Sequence, residues 1–151
     1  MRATDLRGRV LVVDFIFTRC TLSCPAITSH MAELAGLTAD APGVPIDMVS
    51  ITVDPQHDTP EVLSEFSSSW SIPDERWHLL TGTTEQIDEV SAGMLQALTR
   101  GDGPAPDVTH SQRFVLVDAE GRLRAMPSAS AEELDPLAEQ ALLLSRTGSR
   151  Q

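Results

Sequence analysis

Between Arg9 and Thr18 the chain is almost wholly apolar. The run Val10-Leu11-Val12-Val13-Asp14-Phe15-Ile16-Phe17 predicts a buried strand over residues 9–18. From Cys24 to about Leu37 the period changes: Ile27, Met31, Leu34 and Leu37 fall on one face of a helix. The Pro/Gly-rich segment 41–45 is a loop, and Ile46–Val53 predicts a second strand. Thr59-Pro60-Glu61 combines a capping residue, a proline at the first helical position and an early acid, so a helix is expected from there to about Trp70. Trp77–Leu80 is a short strand. Thr83-Thr84-Glu85-Gln86 has capping-box spacing and opens a helix expected to reach about Leu98. Arg100–Asp107 reads as a flexible loop. Phe114–Asp118 and Arg122–Met126 form a hairpin through Ala119-Glu120-Gly121, and a last helix covers about Asp135–Arg146 with Pro136 in its first turn. Strand–helix alternation followed by a hairpin and a final helix predicts an α/β fold. Its mixed central sheet should be parallel first and antiparallel at one edge, with flanking helices.

The 151 residues suit one domain, 1–151, that buries enough surface to fold without a covalent staple. A formal charge of −11 and a pI near 4.6 exclude nucleic acid as a partner, since no basic patch can displace its counterions. All 11 basic residues are arginine, which rules out a lysine Schiff base or a phosphate-loop lysine. No run approaches the ~20 apolar residues of a transmembrane helix.

The two cysteines change the picture most. Cys20 and Cys24 stand as Cys-x-x-x-Cys-Pro directly after the first strand. Residues four apart share a helix face, and their Cα atoms lie ~6 Å apart, so the sulfurs can meet one ion or each other. Pro25 and the polar Thr21 and Ser23 suit a helix start better than a packed interior, although paired cysteines are often only core filling. A helix N-terminus favours thiolate, and Arg19 adds a full charge beside Cys20. A soft-metal site and a redox pair both remain open. In a thioredoxin-like layout the Phe114–Asp118 strand lies beside the first, and the loop at its head brings His110 toward Cys20 and Cys24.

Four blocks in order resemble the Sco/SenC family of thioredoxin-fold copper chaperones. Phe17-Thr18-Arg19-Cys20-Thr21-Leu22-Ser23-Cys24-Pro25 is similar to its F-T-x-C-x-x-x-C-P segment. Thr52-Val53-Asp54-Pro55-Gln56-His57-Asp58-Thr59-Pro60 resembles its S/T-V-D-P-x-x-D-T-P segment. Trp77-His78-Leu79-Leu80-Thr81-Gly82 resembles W-x-x-L-T-G, and His110-Ser111 with Asp118-Ala119-Glu120-Gly121 resembles the H-S strand and D-x-x-G turn. The resemblance implies a thioredoxin-like fold with Cys20, Cys24 and His110 as ligands for copper, Cu(I) or Cu(II). It implies a metallochaperone that delivers copper to the binuclear centre of cytochrome c oxidase, or a reductant of that centre's cysteines, and so leaves enzyme activity open. The partners implied are the copper-centre subunit of a terminal oxidase and an upstream copper donor or thiol reductant, and a monomer is expected. The chain departs from the family in lacking an early hairpin in Met1–Gly8, in carrying Thr109 where an acid often precedes the histidine, and in carrying Thr21 where proline often follows the first cysteine. Location outside the cytoplasm is expected, with an anchor or signal encoded upstream of Met1.

Three competitors stand beside this reading. A thiol-disulfide oxidoreductase needs only Cys20 and Cys24 as its catalytic pair. A peroxiredoxin-like peroxidase is disfavoured by Phe17 three residues before Cys20, where threonine is expected. A redox-inert binding module would leave both thiols unreactive. Asp54, His57 and Asp58 suggest a hard-metal or acid–base site, but Asp54-Pro55 as a strand end and Asp58-Thr59 as a helix cap is the simpler expectation, with support of the cysteine loop as a further role. His30 and His78 are expected to be structural, Met48, Met94 and Met126 core filling, and Trp70 and Trp77 core or rim.

Overall fold

The computed structural model describes residues 3–19, 24–72, 75–94, 98–100, 108–110 and 112–148; of Ala3, Cys24, 98–100 and 108–110 only the backbone is described. The elements run β1 (Val10–Ile16), α1 (Cys24–Leu37), β2 (Ile46–Thr52), α2 (Pro60–Ser69), β3 (Trp77–Leu80) and α3 (Thr84–Gly93). They continue as β4 (Leu98–Arg100), β5 (Val108–His110), β6 (Val115–Val117), β7 (Leu123–Ala125) and α4 (Leu134–Gly148). Ahead of β1, Ala3–Leu6 forms a 3₁₀ turn.

Five strands make one sheet in the order β3-β2-β1-β6-β7, parallel through β1, β2 and β3 and antiparallel at β6 and β7. The mixed α/β sheet with flanking helices is therefore as expected. Every residue of β1 and β2 is buried, which is why their sequences run apolar rather than alternating. Val10, Val12, Ile46, Met48 and Phe114 pack under Ile27, Met31 and Leu34 of α1 and Leu137 and Ala141 of α4. The opposite face carries Leu11, Val13, Phe15, Val49 and Ile51 against Ile87 of α3. Each of these large side chains contributes roughly 1.5–3 kcal/mol by leaving water.

Three expectations need correction. Leu37 was expected on the buried face of α1 but is 42% exposed. Thr38 turns inward instead, fully buried, its hydroxyl donating to the Leu34 carbonyl at 2.8 Å. Helix α3 stops at Gly93, with Met94 as its cap, rather than near Leu98. Glycine weakens a helix end, and Leu98–Arg100 is taken up as β4, pairing antiparallel with β5 in a separate two-stranded ribbon. Arg100, assigned to a loop from the sequence, thus belongs to a strand; the rest of that expected loop, 101–107, lies outside the described residues. The last helix begins at Leu134, and Pro136 sits in its first turn, where its missing N–H has no intrahelical partner to lose.

The loop before β2 is tied to α4. The Gly43 N–H donates to Ser145 Oγ and the Val44 N–H to the Ser145 carbonyl, both at 3.1 Å, while the Ser145 hydroxyl donates to the Val44 carbonyl at 2.6 Å. A Cβ on Gly43 would lie 2.1 Å from that same Ser145 carbonyl oxygen, so only glycine permits the approach. Gly43→Ala is expected to destabilise the domain by about 2 kcal/mol, read as a lowered midpoint in urea unfolding with an unchanged slope.

Candidate metal and thiol site

Strand β1 delivers the chain to the parallel sheet's C-terminal end, and α1 starts there at Cys24. Cys20 lies outside the described residues, and Cys24 is placed by its backbone as the first residue of α1. Strand β6 runs antiparallel to β1, with Val115 opposite Val13, so its leading end lies at the same end of the sheet. His110, the last residue of β5, precedes Val115 by five residues, a reach of at most ~18 Å. The described backbone thus puts Cys24 at the start of α1 and His110 within that reach of the leading end of β6.

The segment entering this loop is held by a buried carboxylate. Asp58, fully buried, accepts from the Thr18 N–H at 3.0 Å, the Thr18 hydroxyl, the Thr52 hydroxyl at 2.6 Å and His57 Nδ1 at 3.0 Å. Asp54 accepts from Arg19 Nε at 3.1 Å and from the terminal guanidinium nitrogen at 2.8 Å, while its own N–H donates to the Thr52 hydroxyl oxygen at 3.0 Å. The Val53 N–H adds a bond to the Ile16 carbonyl at 2.8 Å. The two residues just before Cys20 are therefore clamped by the loop that follows β2. Burial pushes the Asp58 carboxyl upward, but the hydrogen bonds from Thr18, Thr52 and His57 together hold it below the ordinary carboxylate value.

This geometry corrects two expectations. Asp58 does not cap α2; Thr59 does so alone, its hydroxyl accepting from the Val62 N–H at 3.3 Å. The Arg19 charge is paired with Asp54 rather than free beside Cys20, so it favours a thiolate there less than the sequence implied. What Asp54 and Asp58 hold are Arg19 and Thr18, the two residues that precede Cys20. Asp54, His57 and Asp58 do bring ligand atoms within 4.8 Å of one another, but Asp58 already accepts from Thr18, Thr52 and His57, and Asp54 from Arg19.

The remaining polar residues sort as expected. His30 Nδ1 meets the Ala129 carbonyl at 3.0 Å, and His78 Nε2 meets buried Asp47 at 2.8 Å. Asp47 also pairs with Arg9 at 2.9 Å. Met48 and Trp77 are core, Met94 and Met126 pack against it, and Trp70 is a rim residue beside Phe66. Asp118 accepts from the backbone N–H groups of Glu120 and Arg122 at 3.1 and 2.9 Å, and Gly121 takes φ +84°, which accounts for the Asp-x-x-Gly turn.

One residue that sequence reasoning passed over is Asp14, 1% exposed in the middle of β1. Burial raises its carboxyl from 3.8 to about 7; the Ser50 hydroxyl opposite it and a backbone amide act the other way without offsetting this. Neither carboxylate oxygen has a partner of hydrogen-bonding geometry. A single acid inside an otherwise apolar strand was the signal available in the sequence.

The SCO1/SenC family model matches residues 1–141. The chain belongs to the SCO1/SenC family. It is 31% identical over 120 residues to the SCO1 protein homolog of Bacillus subtilis, covering 79% of this chain and 62% of that protein. It is 32% identical over 122 residues to a putative copper-binding protein of Stutzerimonas stutzeri, covering 79% of this chain and 58% of that one. The chain thus spans about three fifths of the length of these curated SCO1/SenC relatives. Among solved structures it superposes with a TM-score of 0.80 on BsSco, described as having a disulfide switch and as a member of the Sco family of cytochrome c oxidase assembly proteins. That match is 26% identical and covers 95% of this chain and 84% of that one. The thioredoxin-like fold of the SCO1/SenC family is the fold of this chain.

Two measurements check the site. Asp58→Ala is expected to cost about 3 kcal/mol in urea unfolding, because buried donors lose their acceptor. The folded-state value of Asp58 lies below its unfolded one, so its contribution is present above the ordinary carboxylate range and is lost as pH falls through the folded value. Asp14 has the opposite sign. Its folded value is the higher, so stability falls as pH rises between 3.8 and about 7. Asp14→Asn is expected to remove this slope and to stabilise the protein at pH ~8 by up to roughly 4 kcal/mol.

Proposed function

We propose that this chain is a copper-binding chaperone holding copper through Cys20, Cys24 and His110 and passing it to the binuclear copper centre of cytochrome c oxidase. The observation that carries the reading is the clamp of Asp54 and Asp58 on Arg19 and Thr18, the two residues that lead into the Cys20–Cys24 segment, with His110 five residues ahead of Val115 in the strand beside β1. The donor set fits the metal. Two thiolates suit Cu(I), and an added imidazole also accommodates Cu(II). The relative named as copper-binding and the solved Sco protein described as an oxidase assembly factor support the same reading. With few ligands at an end of the sheet, copper can leave by exchanging donors one at a time with the acceptor's cysteines. The acceptor is the copper-centre subunit of a terminal oxidase, and the protein works outside the cytoplasm, where cysteines can cycle through a disulfide.

A second reading, reduction of the acceptor's cysteines by the Cys20–Cys24 pair, draws on Cys24 opening α1, whose partial positive charge favours thiolate. The two readings share a site and differ in their need for His110. Anaerobic titration of the reduced protein with Cu(I) is expected to show one equivalent bound tightly, with tight binding lost in Cys20→Ser and in Cys24→Ser. Full affinity in either variant overturns the ligand assignment. His110→Ala is expected to lose Cu(II) while keeping disulfide exchange. Formation of a Cys20–Cys24 disulfide is expected to abolish tight copper binding, and acidification to weaken it, because all three ligands must shed protons.

A further inference from the structure

At the end of α1 far from Cys24, a half-buried arginine is only partly used. Arg76, just ahead of β3, donates from Nη1 to the carbonyls of Thr38 and Ile46 at 3.2 and 3.0 Å, and from Nη2 to the Ala35 carbonyl at 2.7 Å. A guanidinium carries five N–H groups. These carbonyls take three of them, which leaves Nε and one hydrogen of Nη2 with no acceptor among the described residues. Nε and Nη2 share one edge of the guanidinium plane, and such an edge grips a carboxylate through two parallel bonds.

Arg76 lines a cleft of about 360 Å³ together with Ala32, Ala35 and Gly36 of α1 and the chain's two tryptophans, Trp70 and Trp77. Pockets that take small molecules begin at roughly this size. The α1 wall is low, and a Cβ added at Gly36 would meet nothing within 4 Å. Trp77 is buried and its Nε1 already donates to Ser50 Oγ at 3.0 Å, so it offers the cleft only ring surface. Trp70 is 37% exposed and lies beside Phe66 at the rim.

We propose that this cleft binds a small monocarboxylate with a flat apolar body, its carboxylate on Nε and Nη2 of Arg76 and its body against Trp70 and Trp77. Among the described residues, Arg76 is the one charged side chain lining the cleft. One cation matches one negative charge. A dianion such as a phosphate monoester would meet a single counter-charge on a chain of net charge −11, and at the negative end of a helix. That end is softened for a monoanion because Arg76 itself caps the Ala35 and Thr38 carbonyls. A neutral apolar molecule would fill the space but leave the two spare N–H groups unmet. The aromatic rings favour a flat body that can stack or meet them edge to face. Gly36 lies ~18 Å along α1 from Cys24, so the cleft is separate from the thiol segment and does not depend on the copper reading.

The test is titration of the full chain with phenylacetate, followed by tryptophan fluorescence, since both indoles line the cleft. A saturable change with a Kd at or below about 1 mM is expected, and the uncharged phenylacetamide is expected to bind about tenfold more weakly. Arg76→Gln is expected to bring acid and amide to the same weak affinity. Because Arg76 also ties α1 to β2, Gly36→Leu serves as a second variant. Leucine suits a helix better than glycine and here has open space to fill, so the variant is expected to fold and to lose binding. Equal affinity of the wild type for acid and amide, or unchanged acid affinity in a folded Arg76→Gln protein, overturns the carboxylate contact. No saturable change up to about 10 mM, or unchanged binding in Gly36→Leu, overturns the site itself.

Discussion

The site depends on one carboxylate taken out of water. Asp58 is buried, and it persists there because its oxygens are met by two groups of Thr18 and by the Thr52 hydroxyl and the His57 ring. Deprived of these donors, a buried charge of this kind would cost several kcal/mol. The same bonds tie the loop after β2 to the end of β1, segments 40 residues apart in sequence. Desolvation and anchoring are two sides of one arrangement, since the partners that make the buried charge tolerable also hold the approach to the cysteines.

Around this clamp the fold acts as a rigid frame. Parallel pairing of β1 with β2 over seven residues sets where Ile16 and Thr52 end, and hence where the two loops meet. Burial of both strands on both faces leaves little freedom of register, because a slip of one residue would exchange the sets facing α1 and α3. A segment entered through Thr18 and Arg19 gains order from being tied at its root, at no cost in filled space beyond it.

Much of this was legible in the sequence because it is local. Apolar runs and helical period placed β1, α1 and β2, the cap and proline at Thr59-Pro60 placed the start of α2, and the capping box at Thr83 and Gln86 is present in both its hydrogen bonds. What escaped was set at long range. Asp58 looked like a helix cap because Thr59 and Pro60 follow it, and nothing near it in sequence announces Thr18 as its partner. Arg19 looked free for the same reason. The β4–β5 ribbon was hidden because three-residue strands flank a segment rich in Gly and Pro, which signals a loop with no hint of pairing at its two ends. Cys20 and Cys24 stood out by their spacing directly after the first strand, and His110 joined them through the order of the motifs. The structure adds the backbone positions of Cys24 and His110.

The outer strand β7 has a consequence of a different kind. It is three residues long, follows a register irregularity between Leu116 and Val117, and carries Arg124 with Arg122 just before it, both engaged by Asp118. An open strand edge is a template on which a second chain can add, and shortness, a bulge and charge each spoil that template. At this border shortness, the bulge and the two arginines each work against growth of the sheet. A second copy of this chain therefore meets a poor template along this side of the sheet.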